Sequence, residues 1–277
     1  MAKIQFIMFP GFGVSKKGWG TNFVDGKIIK NNFINKLKKL GSVYFYEPKY
    51  YNIFYYYGDE MSKLYDKNIN FTKSDLDINV FCKQVYNEVK DFDGKFVLIG
   101  HSLGAYPVHY FSEKYSSKCL CSIIIDGVPL GPIDKTENDN KLMKTMKKYQ
   151  KYDDKYINIL KDKIYKNDKK AIDELSEIIR YNLYNYIETA KKIKTFKIPT
   201  VCFYNFKIRI QKNKQKAKKD QFRLMQRVNE INHFTKNNNS KKYKSITFIN
   251  KTHLPHFIDD SLQIIIDNIK KIINKKM

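Results

Sequence analysis

Residues 95–106 read KFVLIGHSLGAY, and this stretch decides the fold. A short apolar run, 95–99, leads directly into the turn GHSLG at 100–104, and a helix-like segment follows. A strand that ends in Gly-x-Ser-x-Gly and continues as a helix is a nucleophile elbow, a sharp turn that presents a serine hydroxyl for attack. Glycine is needed at both positions because larger side chains would clash with the strand and the helix. The stretch therefore predicts that Ser102 is a nucleophile.

A serine hydroxyl alone is a poor nucleophile near neutral pH. It needs a base that accepts its proton, an acidic group that orients this base, and donors that stabilise the oxyanion formed during attack. These parts must come from other elements of the chain.

Short apolar runs alternate with helix-like segments along most of the sequence. The runs are often β-branched or aromatic, which is typical of buried strands. The alternation predicts an α/β fold, with a mostly parallel sheet that is flanked by helices on both faces. The predicted strands are 3–9, 42–46, 95–99, 121–126, 198–204 and 245–250. The predicted helices are 27–40, 74–91, 103–117, 221–234 and 259–275.

One stretch, 139–195, interrupts this alternation with several helix-like segments and no strand-like run. Apolar residues such as Ile172, Leu175 and Ile179 recur there at helical spacing and form one stripe. Most of this stripe is expected to pack onto the body of the protein, and its place between the fourth and fifth predicted strands favours a cap over the active site. We therefore expect a core of residues 1–132 and 196–277 with a helical cap insertion of residues 133–195.

Composition limits the remaining possibilities. A chain of 277 residues with 42% apolar content can bury one substantial core. No apolar run reaches the ~18 residues of a membrane-spanning helix, and the N-terminus lacks a signal-peptide pattern.

The cysteines form no CxxC pair, so we expect reduced core thiols, an intracellular, cytoplasmic location, and no metal or cofactor. Cys119 and Cys121 are two apart in a strand-like run, so both should face the same side of the sheet.

The formal net charge of +24 raises the question of an anionic partner. Of the 52 basic residues, only four are arginine, and Asn, Ile, Tyr and Phe are also abundant. All these abundant residues have A/T-rich codons, so the composition of the genome explains the lysine content. The densest basic segment, 207–219, has no regular aromatic interleaving. Nucleic-acid binding through it is therefore a minor hypothesis that rests on charge alone.

Taken together, these segments resemble the α/β-hydrolase family over nearly the whole chain. The stretch IQFIMFPGFGVSKKGW resembles the family's oxyanion strand and loop, with Pro10-Gly11 where His-Gly is usual. The stretch SDLDINVFCKQVYNEVKDFDGKFVLIGHSLGAY resembles the helix, strand and elbow, and SIIIDGVPLGP resembles the next strand and the entry to the cap. The stretch IPTVCFYNF resembles the penultimate strand, and SITFINKTHLPHFIDD resembles the last strand, the histidine loop and the final helix.

This resemblance implies a catalytic role for several residues. Ser102 is the expected nucleophile, and His253, just after the last predicted strand, is the expected base. The backbone N–H groups of Phe12 and Leu103 are the expected oxyanion hole. His256 is the main rival of His253, but it falls where the final helix starts and ranks below it. The other histidines are expected to have structural or surface roles; they are His101, His109 and His233.

The triad acid is the open question. The family usually carries it just after the penultimate strand, but the segment that follows 198–204 has no carboxylate before Asp220. Asp126 ends the strand after the elbow, where a minority of the family, including pancreatic-type lipases, has its acid. We take Asp126 as the candidate, with Asp220 and Glu230 as alternatives. An aspartate here also caps the turn in members whose acid lies at the later position.

The resemblance implies a serine-dependent carboxylic-ester hydrolase, esterase- or lipase-like, that acts on a small apolar ester through an acyl-enzyme. Lipid esters and thioesters remain open as substrates. A serine at the elbow argues against dehalogenase and epoxide-hydrolase chemistry, which uses a carboxylate there. The alternative is a non-catalytic α/β-hydrolase-like protein that binds a small molecule, and the absence of an acid at the usual position supports it.

Overall fold

The fold is known from a computed structural model of the 277-residue chain. The described residues are 3–11, 19–24, 27–46, 55–57, 60–62, 70–127, 144–145, 147–166, 168–183, 186, 189, 196–206, 225, 228, 242–249 and 255–276.

A six-stranded parallel sheet forms the centre of the protein. Its strands are β1 (Ile4–Phe9), β4 (Ser42–Phe45), β7 (Lys95–His101), β8 (Cys119–Ile125), β9 (Thr200–Phe206) and β10 (Tyr243–Ile249). They lie in the order β4-β1-β7-β8-β9-β10. The six predicted strands are confirmed, with ends that differ by a few residues.

Helices cover both faces of the sheet, as the strand–helix alternation predicts. The bounds are α1 (Phe33–Lys38), α2 (Ile78–Val89), α3 (Ala105–Lys114), α4 (Asp154–Tyr165), α5 (Lys169–Leu183) and α6 (Asp259–Lys276). Residues of α1 and α6 pack on one face in a single apolar cluster, and residues of α2 to α5 pack on the other. The strands are buried from both sides, which explains why their sequences are almost continuously apolar.

The prediction of one helix over 27–40 is wrong. The first part is β3 (Lys27–Lys30), which pairs antiparallel with β2 (Thr21–Val24), and α1 begins only at Phe33. The dipeptide Asp25-Gly26 between the strands is typical of a two-residue hairpin. A second antiparallel pair joins β5 (Tyr55–Tyr57) to β6 (Glu60–Ser62). The predicted helix 221–234 lies outside the described residues, apart from helical positions 225 and 228.

The two cysteines at the start of β8 face opposite sides of the sheet, contrary to the sequence prediction. Cys119 lies opposite Phe96, but Cys121 lies opposite Val97, so the register between β7 and β8 shifts by one residue at Leu120. Cys119 consequently packs in the cluster with α2 to α5, and Cys121 in the cluster with α1 and α6. An irregularity of this kind reverses the alternation of side chains, and spacing alone does not reveal it.

Helices α4 and α5 pack on the same face as α2 and α3. Their apolar residues, among them Leu160 and Leu175, are fully buried in the same cluster as the α2 side chains. Polar contacts also join them to the body, because the Lys161 ammonium donates to the Phe71 carbonyl at 2.7 Å. The Lys73 N–H donates to a carboxylate oxygen of Asp154 at 2.6 Å. The apolar stripe predicted within 139–195 therefore packs onto the core.

Helix α6 offers a direct test of how much the packing on the sheet stabilises the fold. Ile265 is fully buried, whereas its neighbour Ile264 is 42% exposed. We expect Ile265→Ala to lower the free energy of unfolding by about 2–5 kcal/mol, because it removes buried methylenes and leaves a cavity. The matched variant Ile264→Ala should change it by no more than about 0.5 kcal/mol. Urea unfolding followed by circular dichroism measures both, and equal losses would contradict the assignment of the buried face.

Candidate active site

The candidate site lies at the carboxyl edge of the sheet. The chain passes from β1 to β4 on one side and later to β7 on the other, so the order of the strands reverses next to β1. Ligands of open α/β sheets bind at such a reversal, outside the carboxyl ends of the strands. Gly11 follows β1 there, and Ser102 follows β7. No helix among the described residues is long and apolar enough to cross a membrane.

Ser102 has the backbone conformation of a nucleophile elbow. Its φ of 51° is in the left-handed region, and it is half-buried at the first position of a short 3-10 turn. A Cβ at Gly100 would come within 2.6 Å of the Gly104 carbonyl oxygen. A Cβ at Gly104 would come within 2.1 Å of the Phe9 carbonyl oxygen. Both glycines are therefore required for β7, the turn and β1 to approach one another.

The segment after β1 lies against the serine. A Cβ at Gly11 would be 3.1 Å from the Ser102 Cβ and 2.9 Å from the His101 Nδ1. Gly11, at the start of the expected oxyanion loop, therefore lies beside Ser102, and Leu103 is half-buried in the same turn as Ser102. Phe12, the other expected oxyanion residue, lies outside the described residues.

Asp126 directly follows β8 and is hydrogen-bonded to the end of β9. Its carboxylate Oδ1 accepts from the Asn205 N–H at 3.0 Å, and its own N–H donates to the Phe203 carbonyl at 2.7 Å. Asp126 is 4% exposed and has a φ of 43°. Aspartate tolerates this left-handed region better than most residues, since its short side chain hydrogen-bonds locally. The turn directs the carboxylate of a β8 residue toward the end of the neighbouring strand β9.

His256 is buried on the face of the sheet that α1 and α6 cover. It is 1% exposed, and its ring lies 5.3 Å from that of Trp19 and 5.5 Å from that of Phe33 between centroids. The ring of His101 is 5.4 Å away. His256 is therefore packed among aromatic rings directly below the elbow. His253, the expected base, lies outside the described residues.

His109 and the four cysteines are core residues. His109 is 4% exposed, and its ring lies 4.8 Å from that of Phe196. All four cysteines are free and buried, as the sequence predicts. Burial raises the pKa of the Cys119 and Cys202 thiols to about 12, so both stay protonated near neutral pH.

Among the described residues, no group of three or more His, Cys, Asp or Glu side chains is arranged to hold a metal ion. His233, Asp220 and Glu230 lie outside the described residues.

Two residues near the site have no counterpart in the motif-based prediction. Asn205 provides the N–H that holds the Asp126 carboxylate, and it is itself 5% exposed at the end of β9. Trp19 is 1% exposed and contacts both His101 and His256. No motif indicates the contact of Asn205 with Asp126, and the available signal was the lack of a carboxylate at 207–219, after β9. No sequence pattern indicates the contacts of Trp19.

The strained conformation of Ser102 predicts an unusual order of stabilities. Ser102→Gly should unfold at higher urea than Ser102→Ala, with a difference of up to about 1 kcal/mol. A Cβ in the left-handed region costs about 1–2 kcal/mol, which exceeds the extra chain entropy that glycine loses. Both variants lack the hydroxyl, so its loss cancels in the comparison.

Ser112 in the middle of α3 provides the matched control. Its hydroxyl donates to the His109 carbonyl at 2.8 Å, and both replacements again remove it. There the glycine variant should be less stable than the alanine variant by about 1 kcal/mol, because the helix favours alanine. The same order of stabilities at both positions would rule out strain at Ser102.

No protein-family model matches the sequence, and no curated protein matches it. Solved structures do match over nearly the whole chain. A monoacylglycerol lipase from Paleococcus ferrophilus is 12% identical, with 98% of this chain and 94% of that chain covered at a TM-score of 0.56. The epoxide hydrolase CorEH is 14% identical, and the match covers 99% of this chain and 92% of that chain at a TM-score of 0.52. A probable hydrolytic enzyme from Pseudomonas aeruginosa PAO1 is 12% identical, and the match covers 95% of this chain and 83% of that chain at a TM-score of 0.50. At such identities the likeness concerns the fold, and the chain has the α/β-hydrolase fold.

Proposed function

We propose that the protein is a serine hydrolase that cleaves carboxylic esters through an acyl-enzyme on Ser102. The observation that carries the proposal is the left-handed serine between two obligatory glycines at the carboxyl end of β7. A serine in an ordinary turn does not require this strain, and strain of this kind is retained mainly at functional sites. The matched folds include a lipase and an epoxide hydrolase, so the elbow residue itself, and not the fold, favours acyl transfer.

The reaction would follow the steps that a serine, a base and an oxyanion hole allow. The Ser102 Oγ attacks the ester carbonyl carbon while His253 accepts the hydroxyl proton. The resulting oxyanion accepts hydrogen bonds from the backbone N–H groups of Phe12 and Leu103, each of which stabilises it by a few kcal/mol. The proton then passes to the departing alcohol, and water attacks the acyl-enzyme in the same way and releases the carboxylic acid.

The burial of His256 supports His253 as the base. A general base must come within hydrogen-bond reach of the serine proton and then donate to the leaving group, so it has to face the substrate. His256 is 1% exposed and packed between Trp19 and Phe33 on the α1 and α6 face, which fits a packing role. His253 follows β10, which ends at the same edge of the sheet as β7.

The position of the Asp126 carboxylate supports this residue as the triad acid. The acid must be a largely buried acceptor for the second ring nitrogen of the histidine. Asp126 is buried and ionisable, and its carboxylate lies at the end of β9, next to the Asn205 N–H. That is the neighbourhood in which the resembling family carries its acid. A residue of β8 can therefore supply the carboxylate that the segment after β9 lacks.

We propose in addition that residues 133–195 form a cap and that the substrate is a small apolar ester. The apolar faces of α4 and α5 join the same cluster as the α2 and α3 side chains, on the face of the sheet beside the elbow. The ring of Tyr186, beyond α5, lies 6.2 Å from that of Phe81 in α2. Such surroundings favour an apolar acyl group, and lipid esters and thioesters would react by the same steps.

The alternative is a binding protein that uses the fold without catalysis. The observation that favours it is the lack of a carboxylate at 207–219, the stretch of sequence after β9 in which the resembling family usually carries its acid. The chemical reactivity of Ser102 separates the two functions.

Labelling with a fluorophosphonate probe measures this reactivity. We expect the wild-type protein to be labelled on Ser102 and the Ser102→Ala variant to remain unlabelled. His253→Ala should slow labelling by at least about 10²-fold, since it removes the base that activates the hydroxyl. Mass spectrometry of the labelled peptide identifies the modified residue.

The matched control for the base is His256→Ala, which should slow labelling much less once the folded fraction is known from circular dichroism. Equal labelling rates of wild type and His253→Ala would reject His253. Absence of labelling in folded wild-type protein would favour the binding function.

The role of Asp126 is tested by Asp126→Asn. Asparagine keeps the oxygen that accepts from the Asn205 N–H and tolerates the left-handed backbone, so the fold should persist. Turnover of 4-nitrophenyl esters should fall on the order of 10⁴-fold, because the amide cannot stabilise the imidazolium.

Asp77→Asn is the matched control, because Asp77 caps α2 by accepting from the Asn79 and Val80 N–H groups. Asparagine caps helices equally well, so turnover should be unchanged. A loss of less than about tenfold for Asp126→Asn would move the search for the acid to Asp220 and Glu230.

A further inference from the structure

A cavity lies at the opposite edge of the sheet from Ser102. Its volume is about 400 Å³, within the range of small-molecule sites. It is formed where β7 and β8 begin and just before β9 and β10. The lining residues are Lys95, Ser116, Cys119, Leu120, Lys197, Ile198, Pro199 and Lys242. Strand β7 runs from this cavity to the elbow, so about 20 Å of extended chain separates the cavity from the nucleophile.

Three lysines of the lining are held in place by hydrogen bonds. The Lys95 ammonium donates to the Ser117 carbonyl at 2.8 Å. The Lys242 ammonium donates to the Lys197 carbonyl at 3.2 Å. The Lys197 ammonium donates to the Glu113 carbonyl at 3.2 Å and lies 2.8 Å from the Glu113 carboxylate. Each ammonium has three N–H donors, so these contacts orient the lysines while leaving capacity to bind an anion.

The charges around this cavity do not balance among the described residues. Among the described residues, the lining contains three lysines and no carboxylate, and the Lys197 ammonium pairs with Glu113 beside it. Like charges at one concave surface repel, and a bound anion relieves this repulsion. Besides Ser116, the remaining lining is apolar, with Leu120, Ile198 and Pro199 beside the lysines. The cavity thus combines a cationic rim with an apolar wall.

We propose that this cavity is a binding site for an amphiphilic organic anion, with a phosphate or carboxylate head group at Lys95, Lys197 and Lys242 and an apolar body against Leu120, Ile198 and Pro199. Lysine binds both head groups as a point charge, so the rim accepts either one. The site is separate from the elbow and does not depend on the chemistry proposed for Ser102.

Calorimetric titration tests the site with two anions and a neutral probe of the same chain length. Octyl phosphate and octanoate should bind, and the tighter of the two identifies the preferred head group. 1-Octanol should bind much more weakly, since it lacks the charge. The double variant Lys95→Gln/Lys242→Gln should weaken binding of the anions by about tenfold or more, because it removes two of the three cations.

The matched control is Lys170→Gln/Lys275→Gln, which removes the same charge from exposed positions on α5 and α6 and should leave the affinity unchanged. This control also separates a local site from attraction by the net charge of the whole protein. Equal affinity of both double variants would overturn the proposal, as would no binding of either anion at millimolar concentration. If the lysines only hold the loops together, Lys95→Gln/Lys242→Gln would unfold at lower urea and no anion would bind to the wild type, which would also overturn it.

Discussion

The site depends on one constraint, the close approach of β1, β7 and α3 around a left-handed serine. Ser102 has a φ of 51°, and its cost of about 1–3 kcal/mol must be offset by the packing around it. Gly104 allows this packing, because its Cα lies against the Phe9 and Pro10 carbonyls, where no Cβ fits. The same contact brings the chain after β1 to the serine. The strain at Ser102 and the position of Gly11 beside it are therefore consequences of one arrangement of glycines.

The sheet and the elbow could be predicted from the sequence because they rest on local patterns. Strands that are buried on both faces must be apolar along their length, and the glycines at 100 and 104 follow from sterics. The segment 27–40 was misread because the isoleucines of Lys27–Lys30 also fit a helical stripe that continues into α1. The informative signal there was Asp25-Gly26, a turn dipeptide and not a periodicity.

Features that depend on contacts between distant segments could not be predicted. The register shift at Leu120 places Cys119 and Cys121 on opposite faces, although their spacing implies one face. The environment of His256 arises from Trp19 and Phe33, which are more than 200 positions away in the sequence. Motif position alone ranked His253 above His256, and burial now adds a physical reason. A histidine that is 1% exposed and packed among aromatic rings fits a packing role.

The backbone of Asp126 explains how a carboxylate that follows β8 reaches the end of a different strand, β9. Neighbouring strands lie about 4.8 Å apart, so a side chain at the end of one strand can reach the end of the next. A left-handed residue at the end of β8 turns its side chain across this gap, and the Asn205 N–H fixes the carboxylate there. Because the Asp126 carboxylate lies beside β9, the lack of a carboxylate at 207–219 does not by itself argue against catalysis.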